Sequence, residues 1–118
     1  VIAGIGTDIL EIERMRAFLK LGQPAVDRVF TRREQELASV REDRVPFYAG
    51  RFAAKEAAAK ALGPPLGWHE VEILADASGR PLAVLHGRAA RAAEGARVLV
   101  SISHSRSHAV AVAIVERR

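Results

Sequence analysis

Residues 50–63 read Gly50-Arg51-Phe52-Ala53-Ala54-Lys55-Glu56-Ala57-Ala58-Ala59-Lys60-Ala61-Leu62-Gly63. Alanine is the best helix former and no proline interrupts the stretch, so it predicts a helix that extends back to Phe47, just after Pro46. Gly63-Pro64-Pro65 ends it, because a proline pair cannot continue a helical hydrogen-bond ladder. Residues four apart share a face, so Phe52, Glu56, Lys60 and Gly63 form one stripe, with a carboxylate and an ammonium side by side. Taken alone, that pair reads first as an ordinary surface Glu–Lys contact.

Outward from this helix, the rest of the chain divides into short elements. Val1 to Ile9 is apolar and interrupted by Gly4 and Gly6, which predicts a strand. Ile2, Gly4, Gly6 and Asp8 line one face, and Ala3, Ile5 and Thr7 the other. Two glycines in a strand mark a bulge or the close approach of another backbone or a ligand, and Asp8 is expected where the strand ends, at a sheet edge. Ile9 to Leu21 has helical apolar spacing and stops at Gly22 and Pro24. Pro24 to Val40 reads as short helical pieces with Val29 and Phe30 as anchors, and Thr31-Arg32-Arg33-Glu34 forms a capping box. Beyond the long helix, the pattern predicts strands at Glu70–Leu74 and Leu82–Leu85 around a turn at Asp76–Gly79. A helix at Gly87–Glu94 and a terminal hairpin of Val98–Ser103 with Ala109–Val115 follow. The expected fold is α+β, an antiparallel sheet packed against one long helix, in a single domain over residues 1–118.

The composition is consistent with one core. The chain has 118 residues, 49% of them hydrophobic, and no cysteine, which removes disulfides, thiolate metal sites and cysteine nucleophiles. No run is long and apolar enough to span a membrane. Asp8, Glu11 and Glu13 follow the first apolar residues too soon for a secretion signal, so a cytoplasmic location is expected. The net charge of +4 and the pI near 10.3 favour an anionic partner. The excess concentrates where Arg14, Arg16, Lys20, Arg28, Arg32 and Arg33 face Asp27 alone.

Candidate chemistry lies in three places. Asp8 and Glu56 come from separate elements, and two carboxylates converging beside basic side chains are what Mg²⁺ takes, with phosphate oxygens and waters completing its octahedron. Ser101-Ile102-Ser103-His104-Ser105-Arg106-Ser107-His108 puts hydroxyls and imidazoles at a strand-to-turn junction, where they serve as phosphate donors or as plain turn chemistry. A zinc site on His104 and His108 is disfavoured, since their spacing aligns ligands only on a helix and the flanking pattern is a hairpin. His69, His86 and Trp68 read as surface or packing residues. Gly63-Pro64-Pro65-Leu66-Gly67 lacks the spacing of a phosphate loop and reads as helix termination.

Three blocks occur in order: Gly4-Ile5-Gly6-Thr7-Asp8-Ile9, Gly50-Arg51-Phe52-Ala53-Ala54-Lys55-Glu56-Ala57 with Lys60 to Gly63, and Ser101-Ile102-Ser103-His104-Ser105. Together with the Gly79-Arg80-Pro81 turn they make the chain resemble the holo-acyl-carrier-protein synthases, the short type of 4′-phosphopantetheinyl transferase. The resemblance implies transfer of the phosphopantetheine arm of coenzyme A to a serine of apo acyl carrier protein, releasing adenosine 3′,5′-bisphosphate. It implies Asp8 and Glu56 as magnesium ligands and Lys60 as the cation that neutralises the transferred phosphoryl group. Arg51, Lys60, Gly63, Ser103, His104 and Ser105 are implied as coenzyme A contacts. It further implies a homotrimer with active sites between subunits, and an acidic carrier protein docking on Arg14, Arg16, Lys20 and Arg28. Leu10 stands where long, two-lobed relatives often place a third acidic ligand. The Gly63–Gly67 segment is shorter and more proline-rich than the family's glycine-rich loop.

The alternative class is a small basic nucleic-acid-binding module. The pI and arginine content favour it, but the six aromatics lack the interleaving of a single-strand binder, and such a module has no use for Asp8 and Glu56 together. Neither a membrane nor a nucleic acid is an expected partner.

Overall fold

The computed structural model describes all residues, Val1–Arg118. The long helix, α4 (Arg44–Leu62), begins earlier than Phe47 because the Asp43 side chain accepts the Val45 N–H at 3.1 Å. Pro46 falls inside the first turn, where its missing N–H breaks no bond. At the other end Gly63 adopts φ 105°, and its N–H bonds the Ala59 carbonyl at 3.0 Å. Ala49, Ala53, Ala54, Ala57, Ala58 and Ala61 are all buried. Their small size lets neighbouring elements pack against the helix backbone rather than against long side chains.

Around α4 lie β1 (Ile2–Glu11), α1 (Ile12–Leu19), α2 (Gln23–Val29) and α3 (Arg32–Ser39) before it. After it come a 3-10 turn (Trp68–Glu70), β2 (Val71–Ala75), β3 (Pro81–Leu85), α5 (Gly87–Ala93), β4 (Arg97–His104) and β5 (His108–Glu116). The expected single sheet is two: a three-stranded antiparallel sheet in the order β1-β5-β4, and a separate β2-β3 hairpin. Asp76 makes the hairpin turn by accepting the N–H groups of Ser78 and Arg80 at 2.8 and 3.0 Å.

A second correction concerns β1, which does not end near Asp8. Ile9, Leu10 and Glu11 continue the ladder opposite Val110, Ala109 and His108, so α1 starts only at Ile12. The helical spacing of Ile9 with Ile12 and Met15 misled because pairing with β5 decides the backbone there. Ile12 and Met15 are buried while Ile9 faces outward. Asp8 therefore sits within an edge strand, opposite Ala111 of β5.

The inner face of the larger sheet lies on α4. A Cβ at Gly4 would land on the Ala61 carbonyl, and one at Gly6 on the Ala57 carbonyl, well inside van der Waals contact. The glycines are thus where strand and helix backbones meet. Ala111, Ala113 and Val115 of β5 complete this part of the core. A second cluster, including Ile12, Met15, Val29, Phe30, Phe47 and Tyr48, packs α1 to α3 on the N-terminal half of α4. The outer face of the sheet is apolar and open: Ile5, Ile9, Leu99 and Val112 are 68%, 65%, 43% and 37% exposed.

Candidate active site

Asp8 follows Gly4 and Gly6 on the face of β1 that meets α4, and this places its carboxylate beside the C-terminal half of the helix. Lys60 closes the contact, its Nζ donating to Asp8 Oδ1 at 3.2 Å and to the Thr7 carbonyl at 3.0 Å. Glu56, one turn earlier, is half-buried. Its carboxyl is pushed up, first by burial and then by the negative charge of Asp8, with Lys60 opposing in part. Two carboxylates therefore share one field with one ammonium, a net-negative cluster that a hard cation would relieve and through which a phosphate could then be held. The donors are all oxygen, with no histidine or thiolate among them, and no third acidic group or histidine joins the two carboxylates. Such a set fits Mg²⁺, which keeps several waters and binds through one or two carboxylates plus substrate phosphate.

The serine-rich turn lies elsewhere in the same chain. In the ladder Asp8 faces Ala111 and Ala111 faces Ile102, so β5 separates β1 from β4 and its Ser103 and His104. Two strand spacings are about 10 Å. Ser105 is a turn organiser: its Oγ accepts the N–H groups of Ser107 and His108 at 3.2 and 3.0 Å. His104 donates from Nε2 to the Pro46 carbonyl at 3.0 Å, the tautomer a carbonyl acceptor requires. Gly50 makes room for it, since a Cβ there would come within 2.7 Å of that nitrogen. Ser103, His104 and Ser105 remain exposed.

Arg51 points to a different side of α4 from Glu56. It is buried, its guanidinium lies 4.3 Å from the Phe47 ring centroid, and Nη2 donates to the Leu74 carbonyl at 3.1 Å. Its Nε has no acceptor. Burial, followed by the Arg41 charge, lowers its pKa to about 10. Gly63 has open space around it. Arg14 lies within α1, Lys20 caps its C-terminus and Arg28 lies on α2, all exposed, whereas Arg16 pairs with Glu13 at 3.2 Å. The structure thus brings Asp8, Glu56 and Lys60 together, with Gly63 one turn beyond Lys60, and holds Ser103, His104 and Ser105 two strands away from Asp8 within one chain.

Sequence reading missed two buried acids. Glu34 forms the capping box with Thr31, but it also accepts the Ile73 N–H at 2.7 Å and pairs with Lys55 at 2.9 Å. Glu72 accepts from Thr31 Oγ1 at 2.6 Å, Arg33 Nη2 at 2.6 Å and His86 Nε2 at 3.0 Å. Burial alone would raise the Glu72 carboxyl, but hydrogen bonds from Arg33, Thr31 and His86 carry it down to about 2. The available signal was Lys55 itself, a cation on the alanine-lined, inward side of α4. Trp68 is a packing residue as expected, with its ring centroid 5.1 Å from that of Phe52.

Comparison with known proteins gives this arrangement its class. Residues 4–113 match the family model of the 4′-phosphopantetheinyl transferase superfamily. The holo-[acyl-carrier-protein] synthase of Geobacillus sp. (strain WCH70) is 41% identical over 99% of this chain and 98% of its own. That of Chlamydia caviae is 45% identical over 95% of both. Among solved structures, the Neisseria meningitidis synthase superposes with a TM-score of 0.88 at 33% identity, covering 99% of this chain and 100% of its own. The Bacillus anthracis synthase, in complex with CoA (3′,5′-ADP), gives 0.82 at 33% identity over 99% and 98%. The chain belongs to the 4′-phosphopantetheinyl transferase superfamily, and within it to the holo-acyl-carrier-protein synthases.

Proposed function

We propose that this enzyme transfers the 4′-phosphopantetheine arm of coenzyme A to a serine of an apo acyl carrier protein in the cytoplasm and releases adenosine 3′,5′-bisphosphate. The observation that carries the reading is the Asp8–Glu56–Lys60 cluster, held by the contact of Gly4 and Gly6 with α4. In the reaction the serine Oγ forms a bond to the β-phosphorus, and the bond from that phosphorus to the bridging oxygen breaks. Charge then builds on the bridging oxygen of the departing nucleotide. Lys60, half-exposed and held only by Asp8 and a carbonyl, can swing to the phosphates and stabilise that charge. Glu56 or a water at the site would accept the serine proton. Asp8 and Glu56 would hold Mg²⁺, which when bound supplies charge neutralisation at the pyrophosphate.

Two further observations support the assembly part of the reading. The open apolar face carrying Ile5, Ile9, Leu99 and Val112 suits burial against copies of the same chain. Ser103, His104 and Ser105 lie a strand beyond reach of their own Asp8, which fits a homotrimer whose neighbouring subunit completes the coenzyme A site, with Arg51 and Gly63 as its further contacts. Arg14, Arg16, Lys20 and Arg28 offer a cationic surface to an acidic carrier protein.

The test is intact-mass analysis of an apo acyl carrier protein incubated with this enzyme, coenzyme A and Mg²⁺. The expected result is a gain of one phosphopantetheine arm, lost with EDTA and with Glu56→Gln. No gain on any of several carrier proteins overturns the reading.

A further inference from the structure

Next to Glu56 in the sequence, Lys55 enters the interior: its side chain is 2% exposed and its partner Glu34 is fully buried. An ammonium has three donors, and each has an acceptor here. Nζ lies 2.9 Å from Glu34 Oε1, 2.8 Å from the Trp68 carbonyl and 2.7 Å from the Val71 carbonyl. The last two acceptors belong to the segment that follows the Gly63–Gly67 turn and leads into β2. Lys55 therefore ties that segment to α4. Glu34 neutralises the tie and anchors it to α3 through the Thr31 N–H at 2.8 Å and to β2 through the Ile73 N–H at 2.7 Å.

The tied segment is also one wall of a small cleft of about 70 Å³ on the flank of Glu56, lined among others by Ala59, Leu66, Trp68 and Val71. Trp68 leans in turn on Phe52, one helical turn before Glu56 on the same stripe. The Glu56 carboxylate makes no ion pair of its own, since the Lys60 ammonium is engaged by Asp8 and Thr7. The wall faces it across the cleft.

We infer that Lys55 is a positioning residue for the reaction: its buried ammonium pins the Trp68–Val71 backbone to α4 and thereby holds Glu56 in the attitude the Asp8 cluster requires. An apolar side chain of similar length fills the space but leaves both carbonyls without a donor, so the wall moves. Glu34 has a separable duty. It supplies the countercharge, and a change that spares Lys55 leaves the two carbonyl bonds in place.

The experiment compares Glu34→Gln with the double variant Lys55→Met/Glu34→Gln in the full-length enzyme. Its kinetic arm rests on the transfer reaction proposed above, and its spectroscopic arm does not. Trp68 is the single tryptophan, so emission and acrylamide quenching report on the wall alone. Glu34→Gln is expected to lower the melting temperature, because it strands a buried cation, while keeping kcat and Trp68 emission. The double variant is expected to recover part of that stability, because no buried charge is left unpaired although two carbonyls lose their donor. Its kcat falls by on the order of ten- to a hundredfold, KM for the carrier protein holds, and Trp68 emission shifts to the red with stronger quenching. Wild-type kcat and emission in a folded double variant overturn the inference. So does an equal loss of kcat in Glu34→Gln, which would mean general loosening. If Glu34→Gln does not fold, the double variant alone decides. If the wild-type enzyme transfers nothing, the proposed function fails, and Trp68 emission still decides the role of Lys55.

Discussion

Gly6 of β1 lies so close to the Ala57 carbonyl of α4 that no side chain fits between them. Two residues on, the same strand face presents Asp8, and one turn after Ala57 the helix presents Lys60, whose Nζ is 3.2 Å from Asp8 Oδ1. The spacing of the charged cluster is therefore set by backbone meeting backbone. Gly6→Ala forces the strand off the helix, because a carbonyl oxygen cannot rotate aside as a side chain can. The expected cost is about 1–3 kcal/mol of stability. Activity should fall further than stability explains, since Asp8 moves with the strand. Chemical denaturation and kcat/KM measured on the same preparation check both.

Lys60→Gln should separate activity from stability in the opposite sense. The Lys60–Asp8 pair is about half exposed on the lysine side, and such pairs contribute about 0–1 kcal/mol. Loss of a cation facing a transferred phosphoryl group costs on the order of 10²–10³ in kcat. A near-wild-type melting temperature with transfer reduced to that degree is the expected pair of results.

The acid limb of the stability curve should trace to Glu72. Its folded-state carboxyl is held down to about 2, against an ordinary value of 4.5. A depressed carboxyl stabilises the fold fully above its unfolded pKa, and the contribution drains as pH falls from 4.5 towards about 2. Urea midpoints of the wild type and Glu72→Gln should differ at pH 7 and converge as pH drops through that window. A gap that stays constant to acid pH would assign the loss to packing.

The cationic surface should act on encounter with the carrier. Lys20→Glu combined with Arg28→Glu is expected to raise KM for an acidic carrier protein and leave KM for coenzyme A unchanged. Added salt should shrink the difference from wild type, because it screens exposed charges. Arg16 is a weaker choice, since Glu13 already occupies it.

Ile9→Glu should report on assembly. Ile9 is 65% exposed on the outer sheet face, so the charge leaves the core intact and burdens only an intermolecular contact. Sedimentation velocity is expected to show the wild type at the mass of the proposed trimer and Ile9→Glu at that of a monomer, with transfer lost alongside it.

Much of this was legible in the residues because the signals were local. The capping box at Thr31 and Glu34, the Gly63 helix stop and the terminal hairpin each depend on neighbours in sequence, and each formed where expected. Gly4 and Gly6 announced a close approach, and α4 supplied the backbone that approaches. The strand past Asp8 was misread because residues 9–11 take their conformation from β5, far along the chain. The split into two sheets was invisible for the same reason, since alternation tells which residues face inward but not which strands pair. Lys55 and Glu34 escaped notice because a buried pair and a surface pair have the same residues, and only the depth of the helix distinguishes them.

The strand that carries Asp8 has its hydrogen-bonded partner in β5, about a hundred residues later, and in no other strand. Pairing over such a separation is slow, because the intervening chain must be ordered before the contact repays it. During synthesis the first strand therefore emerges long before its partner and waits unpaired. The charged cluster can mature only once the last strand is in place, so a chain interrupted before Ala111 carries every acid and base of the centre and still lacks the ladder that holds Asp8 to the rest.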